Sequence, residues 1–95
     1  MKGVVTIRTR SGRHVAIQTE DGDYAIARVP GAELTINEHV SGDLINPGIT
    51  SLQRALRKPI QIYLEGCRIQ EDAAREHMAA ADKVSTEQFY LKKSE

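Results

Sequence analysis

The chain has 95 residues, enough for one domain with a modest core and too few for two. Apolar residues make up 40% and charged residues 27%, a composition typical of a globular protein rather than a disordered or membrane-embedded one. Thirteen Lys and Arg balance thirteen Asp and Glu, which excludes the whole-chain positive field of proteins that hold nucleic acid by neutralising its phosphates. Lys2, Arg8, Arg10 and Arg13 nevertheless precede the first acid, so a local basic patch is compatible with this balance.

Several classes of site and location are not expected from this sequence. Its N-terminus lacks the apolar region of a secretory signal, and the uncharged run from Leu44 to Gln53 is too short to span a bilayer, so we expect a cytoplasmic protein without a membrane partner. Cys67 is the only cysteine, which excludes an intrachain disulfide and a site with several thiolates; we interpret it as a small hydrophobic side chain at a strand end. The three histidines lie in different predicted elements, so we expect no metal and no cofactor.

The first thirty residues predict a three-stranded meander. Gly12 and the Asp21-Gly22 pair divide three β-rich runs, at about 3–10, 14–20 and 23–29. A two-residue loop at Ser11-Gly12 would mix charged and apolar side chains on each face. A three-residue loop, Ser11-Gly12-Arg13, instead places Val5, Ile7, Val15 and Ile17 together.

The same register predicts the composition of both faces of this sheet. A two-residue Asp21-Gly22 loop adds Tyr24 and Ile26 to the apolar face. The opposite face then carries Thr6, Arg8, Arg10, His14, Ala16, Gln18, Ala25 and Ala27. Ala16, Ala25 and Ala27 form a flat strip there, which we expect to be covered by the C-terminal helix or by a second copy of the protein.

The middle of the chain predicts shorter elements. Leu34 to Ile36 is interpreted as a short strand or an irregular loop, and Val40 to Ile45 as a short strand with a glycine bend. Thr50 or Ser51 can cap a brief helix that presents Leu52, Ala55 and Leu56 and ends before Pro59. Residues 60–64 alternate in polarity and predict the last strand.

The C-terminal part predicts a helix over about 69–84, since this segment lacks Gly and Pro and is rich in alanine. Glu71 and Asp72 lie in its first turn, where acids complement the helix dipole. The domain is therefore expected to span 1–84. Residues 85–95 form a tail, and its Phe89, Tyr90 and Leu91 either dock back on the domain or contact a partner.

These elements predict a mainly β fold. We expect a small five-stranded barrel of the oligonucleotide/oligosaccharide-binding or the Src-homology type, beginning with the meander and closed by the C-terminal helix. The opening Lys2-Gly3-Val4-Val5 resembles the first strand of cold-shock and related barrels. Those domains stack bases on aromatic strand residues, whereas the first three strands here contain only Tyr24, placed on the core face. The resemblance is therefore one of architecture.

The main hypothesis for function is a non-enzymatic binding module. Arg8, Arg10 and His14 share the outer face of the first hairpin with Arg13 at its tip, which indicates a surface for nucleic acid. A merely solvated strand face is the other interpretation of these residues. The alternative function is protein interaction or self-assembly through the alanine strip, the C-terminal helix and the tail. Neither a nucleophile elbow nor a Gly-rich phosphate loop is present, so we expect no enzyme.

Overall fold

The computed structural model describes the backbone of residues 1–94 and the side chains of residues 1–83. It shows a closed antiparallel barrel in the order β1-β2-β3-β6-β5-β4, followed by one helix. The elements are β1 (Lys2–Arg8), β2 (His14–Thr19), β3 (Tyr24–Arg28), β4 (His39–Ser41), β5 (Gly48–Arg54), β6 (Ile60–Ile69) and α1 (Glu71–Ser94). The predicted barrel with its opening meander and C-terminal helix is confirmed, with six strands instead of five.

The hairpin turns are where the register differs from the prediction. The amide of Gly22 donates to the carbonyl of Thr19 (2.9 Å), and the amide of Thr19 donates to the carbonyl of Asp23 (2.8 Å). This loop has three residues rather than two, and Gly22 adopts the left-handed backbone conformation (φ 89°) that such loops require. One more loop residue than predicted moves each side chain of β3 to the opposite face of the sheet.

The first hairpin contains a second irregularity. Val5 pairs with Ile17, but the register shifts at Thr6, so that Ile7 pairs with Ala16 and Arg8 with Val15. A bulge of this kind places one extra residue in β1 and reverses the direction of the side chains that follow. The predicted three-residue loop pairs Arg10 with His14 and hence Val5 with Thr19, so the predicted pairing of this hairpin is wrong, although it places Val5 on the correct face. Beyond the bulge the amide of Thr9 donates to the carbonyl of His14 (3.1 Å), which leaves a loop of four residues, 10–13, instead of three.

Two apolar clusters result from these registers. Val5, Val15 and Ile17 lie inside the barrel as predicted, together with the core residues Ala25, Ala27, Val29, Leu34, Val40, Leu44, Leu52, Ile60, Ile62 and Leu64. The predicted positions of Ile7, Tyr24 and Ile26 in this core are wrong, because they lie on the outer surface beneath α1. The cluster under the helix consists of Ile7, Ala16, Tyr24, Ile26, Ile69, Ala74 and Met78.

The helix covers the outer face of β1, β2 and β3. Ala74 and Met78 are buried against this face, and the hydroxyl of Tyr24 donates to Glu71 Oε1 at 3.1 Å in the first turn of the helix. Burial and this hydrogen bond both raise the pKa of Tyr24. The predicted docking of the helix on an alanine strip is wrong for Ala25 and Ala27, which lie inside the barrel. The strip is therefore not available to a second copy either.

Two further predictions are corrected, one in the middle of the chain and one at the end of the C-terminal helix. The predicted brief helix near Leu52 is instead the strand β5, which pairs with β6 from Gly48 opposite Leu64 to Leu52 opposite Ile60. Ile49, Thr50 and Leu52 fit a half-buried strand, and this pairing outweighs the capping signal at Thr50 and Ser51. The predicted last strand is confirmed and continues to Ile69, whereas α1 continues past the predicted end at Val84. No helix among the described residues is long and apolar enough to cross a membrane.

We expect Gly22→Ala to lower the free energy of unfolding by about 1–2 kcal/mol, since an L side chain is strained at positive φ. No heavy atom lies within 4 Å of the position of the added Cβ, so steric overlap would not contribute. Asn, which tolerates this conformation better, is the matched control and should lose less. Denaturation in urea measures the difference, and an alanine variant as stable as the wild type would contradict the role of Gly22.

Candidate functional site

The four predicted binding residues do not share one surface. The Nε of Arg8 donates to the carbonyl of Leu34 (3.0 Å) and its Nη2 to that of Ala32 (3.4 Å). Arg8 therefore fastens the β3–β4 loop to the end of the barrel. Its predicted position on the outer face is wrong, because the bulge at Thr6 turns its side chain toward this loop.

The other three predicted residues lie in different surroundings. The backbone amide of Arg10 donates to Asp82 Oδ1 (3.0 Å), and its exposed guanidinium lies 3.7 Å from Asp82 Oδ2 on α1. Arg13 is exposed at the turn, where its carbonyl accepts a hydrogen bond from the amide of Val29 (2.6 Å). His14 is mostly buried, with its Nε2 2.8 Å from Glu65 Oε1 on β6. The side chains of Phe89, Tyr90 and Leu91 lie outside the described residues.

A row of side chains across four strands is the most developed surface outside the helix-covered face. His14 pairs with Arg28, Arg28 with Tyr63, and Tyr63 with Ile49, so these residues project outward side by side. The guanidinium carbon of Arg28 lies 5.5 Å from the centre of the Tyr63 ring, within the range of a cation–π contact. Tyr63 is 45% exposed and Ile49 71% exposed. An accessible aromatic ring, a cation and an apolar side chain are therefore contiguous.

Glu65 contacts two side chains of this row and holds them in position. Its Oε2 lies 3.1 Å from Nη2 of Arg28, and its Oε1 lies 2.8 Å from Nε2 of His14. Glu65 and His14 are about four-fifths buried, whereas Arg28 retains more than half of its exposure. The Nδ1 of His14 is buried and has no hydrogen-bond partner among the described residues. The carboxylate thus orients the guanidinium over the ring and neutralises part of its charge.

The two ends of the barrel differ in charge, although the whole chain is neutral. One end, which we call the acidic end, comprises the β2–β3 turn, the β4–β5 loop and the start of α1. Residues 20–23, 42–47 and 70–72 of these segments contain no Lys or Arg, and the bases of the adjoining strand ends are Lys2 and Arg68. These segments carry Glu20, Asp21, Asp23, Asp43, Glu71 and Asp72.

The opposite end, which we call the basic end, comprises the β1–β2 turn, the β3–β4 loop and the β5–β6 loop. The bases of these segments and of the adjoining strand ends are Arg8, Arg10, Arg13, Arg28, Arg54, Arg57 and Lys58. Glu33 and Glu38 are the acids of the same loops, and both lie within 4.0 Å of Arg54. Among the residues whose side chains are described, no acid lies within ion-pair distance of Arg13, Arg57 or Lys58. The row of His14, Arg28, Tyr63 and Ile49, which we call the Arg28–Tyr63 row, adjoins this end.

Arg54 and Glu38 form the strongest charged contact of the basic end. Their Nε and Oε2 atoms are 2.6 Å apart, and their side chains are only 5% and 15% exposed. The amide and hydroxyl of Thr35 also donate to Glu38 Oε1. Burial opposes ionisation of Glu38, but the hydrogen bonds from Arg54 and Thr35 hold its pKa below its ordinary value. This contact fixes the β3–β4 loop and occupies Arg54.

Two surface clefts are less suited to a ligand, because most of the charged groups that line them already have partners. One cleft of about 190 Å³ lies between α1 and β1, where Arg75 pairs with Glu71 and Asp82 with Arg10. The other, of about 320 Å³, crosses β1, β4 and β5 and includes Arg54. No cluster of three metal-binding side chains occurs in the part of the chain that the structure describes.

The sequence contained a signal for Tyr63 that the prediction did not use. The alternation over residues 60–64 places Tyr63 on the face opposite to Ile60, Ile62 and Leu64, and hence outside a barrel that buries those three. Arg28 could not be assigned in the same way, since its face depends on the length of the β2–β3 loop. Comparisons of the chain with protein-family models, with curated proteins and with solved structures give no match.

We expect Glu38→Gln to destabilise the protein at neutral pH by about 1–3 kcal/mol, because it removes a buried charged hydrogen bond. The pKa of Glu38 is lowered from 4.5 in the folded state, so its contribution is present above about 4.5 and is lost as pH falls through the lower folded value. Urea denaturation at several pH values should therefore show the difference between wild type and variant shrinking in acid. A difference that grows in acid would contradict this assignment.

Proposed function

We propose that this protein is a non-enzymatic module that binds single-stranded nucleic acid on the Arg28–Tyr63 row, which adjoins the basic end of the barrel. The observation that carries the proposal is the exposed ring of Tyr63 with the guanidinium of Arg28 beside it. Bases stack on aromatic rings and on guanidinium planes regardless of sequence, and each stacked base contributes about 1–3 kcal/mol. The proposal keeps the ligand class indicated by the first hairpin but moves the contact surface to β3 and β6.

The charges around the row support an anionic ligand. Arg13 directly precedes His14, which pairs with Arg28, so the exposed Arg13 adjoins the row. Arg28 retains 56% exposure of its side chain although it contacts Glu65. Phosphates could therefore be neutralised by Arg13 and Arg28 while a base lies on Tyr63. Because acids are concentrated at the other end of the barrel, electrostatic attraction directs an anionic ligand toward the basic end.

A single strand fits this surface better than a duplex does. The bases of a duplex are paired and stacked within the helix, so their faces are not available to a protein side chain. Tyr63, with the guanidinium of Arg28 over its ring, lies on the barrel wall and not at the tip of an element that could enter a groove. Arg8, which the first hairpin suggested as a phosphate contact, instead serves the fold through the carbonyls of Ala32 and Leu34.

We expect Tyr63→Ala to weaken the binding of a labelled oligothymidine by about 10-fold, since a stacking surface is lost. Fluorescence anisotropy measures the affinity, and Arg28→Gln should weaken it as well and reduce its salt dependence. Lys2→Gln is the charge-matched control at the acidic end and should have little effect. Absence of any binding by the wild type at low salt would contradict the proposal.

A second candidate function is a contact with another protein, and the exposure of Ile49 favours it. Ile49 and Tyr63 are paired across β5 and β6 and together present an apolar surface beside Arg28. Tyr and Arg are frequent in the centres of protein interfaces. A second copy of the chain is the simplest partner for such a surface.

If this second function holds, the wild type should form a dimer that Ile49→Ser converts into a monomer, because the central apolar contact is removed. Light scattering at several concentrations measures the mass. Thr50→Ser is a control on the same strand that leaves Ile49 in place. A monomeric wild type at all concentrations would contradict self-association through this surface.

A further inference from the structure

The tip of the β5–β6 hairpin is an exposed site that the Arg28–Tyr63 row does not include. Leu56 is 97% exposed, and Arg57, Lys58 and Pro59 are exposed as well. An apolar side chain fully in solvent beside two cations contributes nothing to the core. No acid lies within ion-pair distance of either cation among the residues whose side chains are described.

The tip is a direct continuation of the strands that carry the row. The last rung of the hairpin pairs Leu52 with Ile60, and Tyr63 follows Ile60 by three residues, or about 10 Å along β6. A polymer that lies on Tyr63 and runs along β6 toward the basic end therefore reaches the tip. The opposite direction leads past Arg68 to the acidic end, where Asp43, Glu71 and Asp72 outnumber this one cation and would repel phosphates.

We propose that Leu56, Arg57 and Lys58 form a second contact site for the same single strand, with Arg57 and Lys58 binding phosphates and Leu56 contacting a base or sugar. This inference rests on the proposed function and adds the direction of the strand along β6. Charge complementarity selects this occupant: the tip offers two cations without acidic partners to a polyanion already held at Tyr63. A strand too short to reach from Tyr63 to the tip would use the row alone.

The double variant Arg57→Gln, Lys58→Gln tests the inference with a thymidine dinucleotide, which spans only about 7 Å at about 3.4 Å per nucleotide, and with an oligothymidine of about 12 nucleotides. For the long strand, we expect the slope of log K against log salt to fall by about 1.4, since two single-strand phosphate contacts are lost. For the short strand, affinity should stay within about 2-fold of the wild type, because this strand binds only the row. Leu56→Ser should weaken binding of the long strand without changing the slope.

Lys2→Gln with Arg68→Gln is the control, since it makes the same charge change at the acidic end and should leave the slope unchanged. Thermal denaturation of all variants checks that the barrel is intact, which the exposure of the tip leads us to expect. Wild-type binding with an unchanged slope in the tip variant would overturn the inference and leave the proposed function standing. Absence of wild-type binding to both strands would overturn both.

Discussion

The backbone conformation of the two hairpin glycines is the constraint on which the rest of the structure depends. Gly12 and Gly22 both have positive φ, and the amide of each donates to the carbonyl of a threonine three residues earlier. Those threonines, Thr9 and Thr19, are the two buried polar residues in the described part of the chain, and their hydroxyls also bond within the turns. Together these contacts set loop length, and loop length sets which side chains of β2 and β3 point inward.

The part of β3 that faces inward as a result carries small side chains. Ala25 and Ala27 face Ile17 and Val15 inside the barrel, while Tyr24 and Ile26 are left outside and need a cover. The helix provides that cover through Ala74 and Met78 and so removes the outer face of β1, β2 and β3 from contact with ligands. The outer face of β6 and β5, where Tyr63 and Ile49 lie, remains accessible because α1 is packed against the other side of the barrel.

Although the net charge is zero, acidic and basic residues are concentrated at opposite ends of the barrel. Because antiparallel strands alternate in direction, each connection lies at one end or the other, and the acidic and basic connections are sorted accordingly. Arg54 neutralises Glu33 and Glu38 of the β3–β4 loop, so these two acids do not cancel Arg13, Arg57 and Lys58. This arrangement gives physical support to an anionic ligand in a chain whose composition argues against one.

The sequence by itself determined the element types at both ends of the chain, the barrel class, and the core positions of Val5, Val15 and Ile17, because glycine turns and alternating polarity are local signals. The alternation over residues 60–64 also indicated that Tyr63 points outward. Only the tertiary structure decided the face of Ile7, Tyr24, Ile26 and Arg28. A bulge at Thr6 and one additional residue in the β2–β3 loop each move the side chains that follow to the opposite face of the sheet. The same holds for β5, whose strand form depends on pairing with β6, and for Arg8 and Arg54, whose partners are distant in sequence. Partners so far apart along the chain become neighbours only when the barrel closes.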